Sequence, residues 1–275
     1  MNINCNGTLI DLSSPKIMGI LNITPNSFFD GGKFNSLDAA VAQTEKMLSE
    51  GATFIDIGGA SSKPGVDEIS VDEELSRVLP IIEKIATTFP KAIISIDTYR
   101  SEVAQKAVEA GAQIVNDISA GNMDSKMLQT VGALGVPYIA MHMQGTPQTM
   151  QNNPSYDDVL TAVRYFFSEK INAAHTAGID DVILDPGFGF GKTTQHNFAM
   201  LNHLHTLYIE GVPLLVGVSR KSMIYKTLHT NSESALNGTT VLNTVALQHG
   251  AHILRVHDVK EAKEAVQLVE ALKNA

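Results

Sequence analysis

Asp97, Asn116 and Asp185 sit at the ends of the short apolar runs SID, IVND and VILD. A polar side chain at the end of a buried strand costs roughly 1–3 kcal/mol if it is desolvated without a partner. Three such groups on similar runs imply a flat heterocycle that offers adjacent N–H and carbonyl groups. The cations gather further along the chain. Lys221 follows LLVGVSR, and Arg255 and His257 close ILRVH. The chain has a formal net charge of -9, so a local reversal of sign implies an anionic ligand. Asn22, closing KIMGILN, offers a neutral oxygen suited to Mg2+, which keeps most of its waters and bridges phosphates.

Other polar residues in these positions read differently. Asp56, ahead of Gly58-Gly59, serves either a loop backbone or a site. Asp117 and His142 read as structural. DPGFGFGKTT (185–194) imitates a phosphate-binding P-loop, but three residues separate Gly187 from Gly191 where that loop needs four. Its glycines instead let backbone approach a flat ligand, with Phe188 or Phe190 packing nearby. His203 and His205 lack the carboxylate or thiol pattern of a metal site. Cys5 is too near the N-terminus to serve as a nucleophile. Lys221 could form a Schiff base, with Arg220 lowering its pKa.

These residues need elements to bring them together, and a repeating grammar supplies them. An amphipathic segment ends in Gly, and a short β-rich run follows and ends in a polar residue. It recurs at Gly51, Gly111, Gly135, Gly178, Gly211 and Gly250, and KIMGILN and KAIISIDT are further runs of the same kind without the leading Gly. Gly suits the residue just past a helix, where the backbone turns left-handed. Ser70-Val71-Asp72-Glu73 is a capping-box start, and Ser36 and Ser101 are further expected N-caps. Runs that are apolar throughout need covering on both faces, as in parallel sheets. Eight such runs alternating with helices predict a closed (β/α)8 barrel whose strand C-termini share one mouth. Residues 1–14 alternate around Asn6-Gly7, which predicts a small hairpin closing the barrel floor. No linker interrupts residues 1–275, which read as one domain.

Composition narrows the function. The acidic balance argues against nucleic acid or an anionic membrane as partner. No apolar run reaches the roughly 18–20 residues of a membrane span. A single cysteine and a start without a cationic, apolar leader predict a cytoplasmic protein.

The motifs, in order, resemble the dihydropteroate synthase family over nearly the whole chain. MGILNITPNSFFDGG and DIGGASSKPG are similar to the family's first and second loops. SIDT, IVNDISAG, MHMQGTPQTMQ, LDPGFGFGK, GVSRKSMI and LRVHDV follow in family order. The resemblance implies a TIM barrel that condenses 6-hydroxymethyl-7,8-dihydropterin diphosphate with 4-aminobenzoate, giving 7,8-dihydropteroate and pyrophosphate with Mg2+. It implies pterin contacts from Asp97, Asn116, Asp185, Lys221, Met141, Phe190 and Gly217. Asn22, Lys63, Arg255 and His257 would hold the diphosphate, with Asn22 on the metal. Ser62, Lys63, Pro64, Phe190 and Ser222 would meet the aminobenzoate, and Asp30, Lys221 and Asn22 would serve catalysis. It further implies a homodimer, a sulfonamide target, and two loops that close over the substrates.

Two departures stand out. Asn26 replaces an Asp common in the first loop, and Ser62-Lys63 replaces Thr-Arg in the second. Lys lacks the planar fork of Arg, so altered substrate or inhibitor affinity is expected. The rival readings are a pterin-binding barrel methyltransferase using methyl-tetrahydrofolate and a non-catalytic pterin-binding barrel.

Overall fold

Strand and helix alternate along the chain as the run pattern requires. The computed structural model describes residues 1–23, 33–60 and 68–275. A hairpin of β1 (Asn2–Cys5) and β2 (Thr8–Asp11) comes first. The barrel strands are β3 (Lys16–Asn22), β4 (Phe54–Gly58), β5 (Ile93–Asp97), β6 (Ile114–Asp117), β7 (Tyr138–Met141), β8 (Val182–Asp185), β9 (Leu215–Val216) and β10 (Ile253–Val256). The helices are α1 (Lys33–Ser49), α2 (Val71–Thr88), α3 (Ser101–Glu109), α4 (Met127–Leu134), α5 (Val159–Thr176), α6 (Thr194–Asn202), α7 (Ser222–Thr227), α8 (Leu236–Gln248) and α9 (Val259–Lys273).

The eight barrel strands pair in parallel in the order β8-β7-β6-β5-β4-β3-β10-β9. The two ends meet where Leu184 bridges Leu214 in parallel and its N–H donates to Pro213 at 2.9 Å. The register sets Asn22 beside Gly58, Gly58 beside Asp97, and Asp97 beside Asn116. The polar strand ends therefore converge on one rim.

The floor is a separate apolar cluster. Ile3, Cys5 and Leu12 from the hairpin region pack on Met18, Phe54, Ile93, Ile114, Ile139, Ile183, Leu215 and Ile253. Each of those eight residues is the first, second or third of its strand, so the hairpin plugs the N-terminal end of the barrel, as expected. Its turn places Asn6 and Gly7 at φ 49° and 85°, the left-handed pair a tight hairpin demands. The larger cluster fills the layer between strands and helices, from Ile17 on β3 to Val269 on α9.

The capping expectations meet mixed outcomes. Ser70 caps α2, its Oγ accepting from Glu73 N–H at 3.1 Å. Ser101 is instead the first residue of α3 behind Arg100, and its N–H is met by Asp124 at 2.7 Å. Helix α1 already runs through Ser36.

The floor plug yields a stability prediction. Ile3 is 1% exposed, and Ile3→Ala leaves a cavity beneath the strands. Urea unfolding should show a loss of about 3 kcal/mol, and a loss below a quarter of that would mean the hairpin is detachable.

Candidate active site

Arg255 organises the rim. It projects from β10, and its Nε donates to Asp56 at 2.6 Å while Nη2 donates to Asp97 at 2.6 Å. The same Asp56 oxygen accepts from Asn116 Nδ2 at 3.0 Å. Strands β4, β5, β6 and β10 are thus joined through side chains. Two carboxylates share one guanidinium, leaving an uncompensated negative charge. Burial pushes the Asp97 carboxyl up to about 7; Arg255 opposes this and Asp56 reinforces it.

Asp185 and Lys221 form the opposite wall. Asp185 ends β8, is 5% exposed and accepts from Gly187 N–H at 2.7 Å. Burial raises its pKa, against the pull of Lys221. Lys221 donates from Nζ to Phe188 O and stands 4.9 Å from the centre of the Phe190 ring. Burial lowers Lys221 to about 8, opposed by Asp185. Gly217 completes the wall: a Cβ there would lie 3.8 Å from both Lys221 Nζ and Arg255 Cβ. The missing side chain keeps the space between the two cations open.

Loop geometry fixes the remaining groups. Gly187 has φ 67°, and a Cβ on it would fall 1.9 Å from His142 O, so the two loops touch backbone to backbone. Met141 packs against the same glycine and is 4% exposed. Ser222 opens α7 directly after Lys221. Arg220 before them is held at φ 55° by a fork to both Asp258 oxygens at 2.8 Å. That fork turns Arg220 away from Lys221, so the Lys221 shift comes first from burial, with Arg255 as the cation beside it, correcting the role expected of Arg220. His257 is exposed on the rim, and its Nδ1 lies 3.0 Å from Ser219 Oγ.

Asp97, Asn116, Asp185, Lys221, Gly217, Phe190 and Arg255 therefore share one mouth. Asn22 stands at its edge, exposed, with Oδ1 3.6 Å from the place of a Cβ on Gly58. Asp30, Ser62, Lys63, Pro64 and Asn26 lie outside the described residues. Asp117 is a tie: it accepts from Tyr138 OH, Ser119 Oγ and the N–H groups of Ser119 and Gly121. His142 packs edge-on against Phe166 at 4.9 Å, and burial pushes it down to about 3, so it stays neutral. The P-loop imitation ends the same way, because Lys192 is 3% exposed and its Nζ is occupied by three backbone carbonyls. The sequence left Asp56 undecided; its signal was the burial of a carboxylate inside FIDIG.

A barrel whose rim presents two acids, an amide and two cations around an open glycine is a surface for a planar, hydrogen-bonding ring. Residues 18–257 match the family of pterin binding enzymes. Dihydropteroate synthase of Escherichia coli K12 is 47% identical over all of this chain and 98% of its own length. The chain belongs to the dihydropteroate synthase family. Among solved dihydropteroate synthases, the Yersinia pestis enzyme with a sulfonamide drug complex superposes with TM-score 0.94 at 44% identity, covering all of both chains. The Xanthomonas albilineans enzyme in complex with 7,8-dihydropteroate gives 0.90 at 39%, again over all of both.

Arg255→Met tests the shared guanidinium. It leaves Asp56, which is 0% exposed, without its cation, and should cost about 3–5 kcal/mol in urea unfolding at neutral pH. Burial pushes Asp97 up to about 7 and it rises further without Arg255, so the deficit should narrow as pH falls toward 7 from the alkaline side and stay flat below it.

Proposed function

We propose that this chain joins 6-hydroxymethyl-7,8-dihydropterin diphosphate to 4-aminobenzoate, releasing pyrophosphate and 7,8-dihydropteroate, with the residues of this mouth in the following roles. The observation that carries the assignment of roles is the Asp56–Arg255–Asp97 cluster with Asn116, facing Asp185 and Lys221 across Gly217. Asp185 accepts from the pterin amino group and ring N–H as a charge-assisted pair. Asp97 and Asn116 meet the remaining ring edge, Lys221 donates to the ring's acceptors, and Met141 and Phe190 pack on its faces.

The reaction needs little base. An aromatic amine is neutral at pH 7 and attacks with its own lone pair. The harder step is breaking the bond from the pterin methylene carbon to the diphosphate oxygen, whose electron pair leaves with pyrophosphate. Arg255 uses two donors within the protein and has further N–H groups for the leaving group. His257 on the rim, and Lys63 of the second loop, add to it. Asp30 offsets the positive charge left on the pterin methylene, and the amine then forms the C–N bond and loses a proton. Ser222, at the start of α7, takes the aminobenzoate carboxylate with Ser62 and Pro64 alongside.

Asn22 fits Mg2+: a single exposed amide oxygen beside Asp97 suits an ion that arrives on the diphosphate with its waters. When bound, the ion neutralises charge on the departing pyrophosphate. The sulfonamide in the Yersinia pestis relative supports reading this chain as a sulfonamide target. A cytoplasmic setting agrees with the single, buried cysteine, and among the described residues no helix is long and apolar enough to cross a membrane.

The decisive experiment is product detection by mass spectrometry from the two substrates with Mg2+, against an EDTA control. Mg2+-dependent dihydropteroate is expected, with Lys221→Ala reducing turnover by about 100-fold or more. Pterin binding without product would point to a silent binder or a methyltransferase. Because Lys221 titrates near 8, kcat/KM should fall as pH rises through that value, and Lys221→Arg should lack this limb.

A homodimer is supported by Val241 on α8 and Leu268 and Leu272 on α9, which are 53%, 68% and 68% exposed on helices packed against each other. Light scattering after gel filtration should give twice the 29.6 kDa chain mass, and Leu268→Glu with Leu272→Glu should give the single-chain mass.

A further inference from the structure

Lys192 stands in the segment that imitates a P-loop, yet it does not face the mouth. Its Nζ donates to His142 O at 3.2 Å, Gly187 O at 3.0 Å and Phe190 O at 2.9 Å. Three carbonyl acceptors are satisfied together only by the protonated amine, which has three donors. A buried ammonium whose hydrogen bonds all go to backbone is an expensive device, since leucine or methionine would fill the volume without desolvating a charge.

The carbonyls it holds belong to a larger pattern. Every carbonyl from Gly187 to Gly191 accepts from a side chain. Gly187 O and Phe190 O take Lys192, and Phe188 O takes Lys221. Gly189 O takes Gln151 at 2.6 Å, and Gly191 O takes Tyr156 OH at 2.8 Å. The N–H of Gly189 donates to Asn197 Oδ1 at 2.7 Å. A segment with three left-handed glycines, Gly187, Gly189 and Gly191, has little conformational preference of its own. Side chains from β7–α5, α6 and the start of α7 impose one conformation on it.

We propose that Lys192 is a positioning residue: by tying Gly187 O and Phe190 O to His142 O, it fixes the Phe190 ring between the pterin and aminobenzoate sites, with Gln151 and Tyr156 as its auxiliaries. The inference rests on the synthase reading for what Phe190 contacts. Lys192 itself touches no reacting atom. Its effect therefore falls on binding, through the placement of a ring that borders both substrates, and is read at the aminobenzoate.

The test is Lys192→Met, which keeps an unbranched chain and removes all three donors. In the folded variant, the KM for 4-aminobenzoate should rise about tenfold or more while kcat changes less than about threefold. Amide hydrogen exchange at residues 187–191 should quicken in the absence of any substrate. Lys192→Arg should not rescue, because a planar fork cannot serve three converging carbonyls. The double variant Gln151→Ala with Tyr156→Phe, which leaves the buried cation in place, should raise the same KM by about fivefold. An unchanged KM and unchanged exchange in a folded Lys192→Met would overturn the proposal. If that variant does not fold, the same null result in the double variant would overturn it. Absence of product from the parent chain would instead refute the synthase reading, and the exchange measurement would still decide whether Lys192 orders the segment.

Discussion

One guanidinium shared by two acids is the constraint on which this barrel's mouth depends. Arg255 reaches from the last barrel strand to Asp56 on β4 and Asp97 on β5, and Asp56 passes the link to Asn116 on β6. Without it the two carboxylates would face the same space with no cation between them. The Arg255 guanidinium also keeps its cation fixed where an incoming anion can use it, so the same contact that stabilises the rim orients its electrostatics. Strand register makes this possible, because Gly58, Asp97 and Asn116 lie side by side.

The mouth mixes charges rather than being simply positive. Asp56, Asp97 and Asp185 stand against Arg255 and Lys221, within a chain of net charge -9. Burial raises Asp97 and lowers Lys221, so both groups titrate within reach of neutral pH. A ring that brings N–H donors to the acids and acceptors to the lysine replaces the water these groups would otherwise require. Preorganised groups of this kind need no rearrangement when the ligand arrives.

Much of this was legible in the sequence, for a physical reason. Parallel strands covered on both faces are written as continuous apolar runs, so a polar residue at the end of a run is conspicuous; Asp97, Asn116 and Asp185 announced themselves in that way. The hairpin was readable because Asn6-Gly7 has few alternatives to a tight turn. What could not be read was partnership. Asp56 and Arg255 are 199 residues apart, and nothing local says that they touch. Ser101 looked like a cap because its type fits, but the long-range Asp124 carboxylate meets its N–H. The glycine spacing was enough to set Lys192 aside as a phosphate ligand, but nothing local says that its ammonium serves three backbone carbonyls.

The plugged floor has a kinetic consequence. With Ile3, Cys5 and Leu12 filling the lower end, the barrel opens, among the described residues, at the strand C-termini. Asn116 and Asp185 lie deep, at 4% and 5% exposure, while His257 and Asn22 stand exposed at the threshold. Whatever occupies the deep position must enter before the outer position is filled, and must wait for the outer occupant to leave. A barrel sealed at one end thus imposes a queue, and the order of addition is written into its architecture before any loop moves.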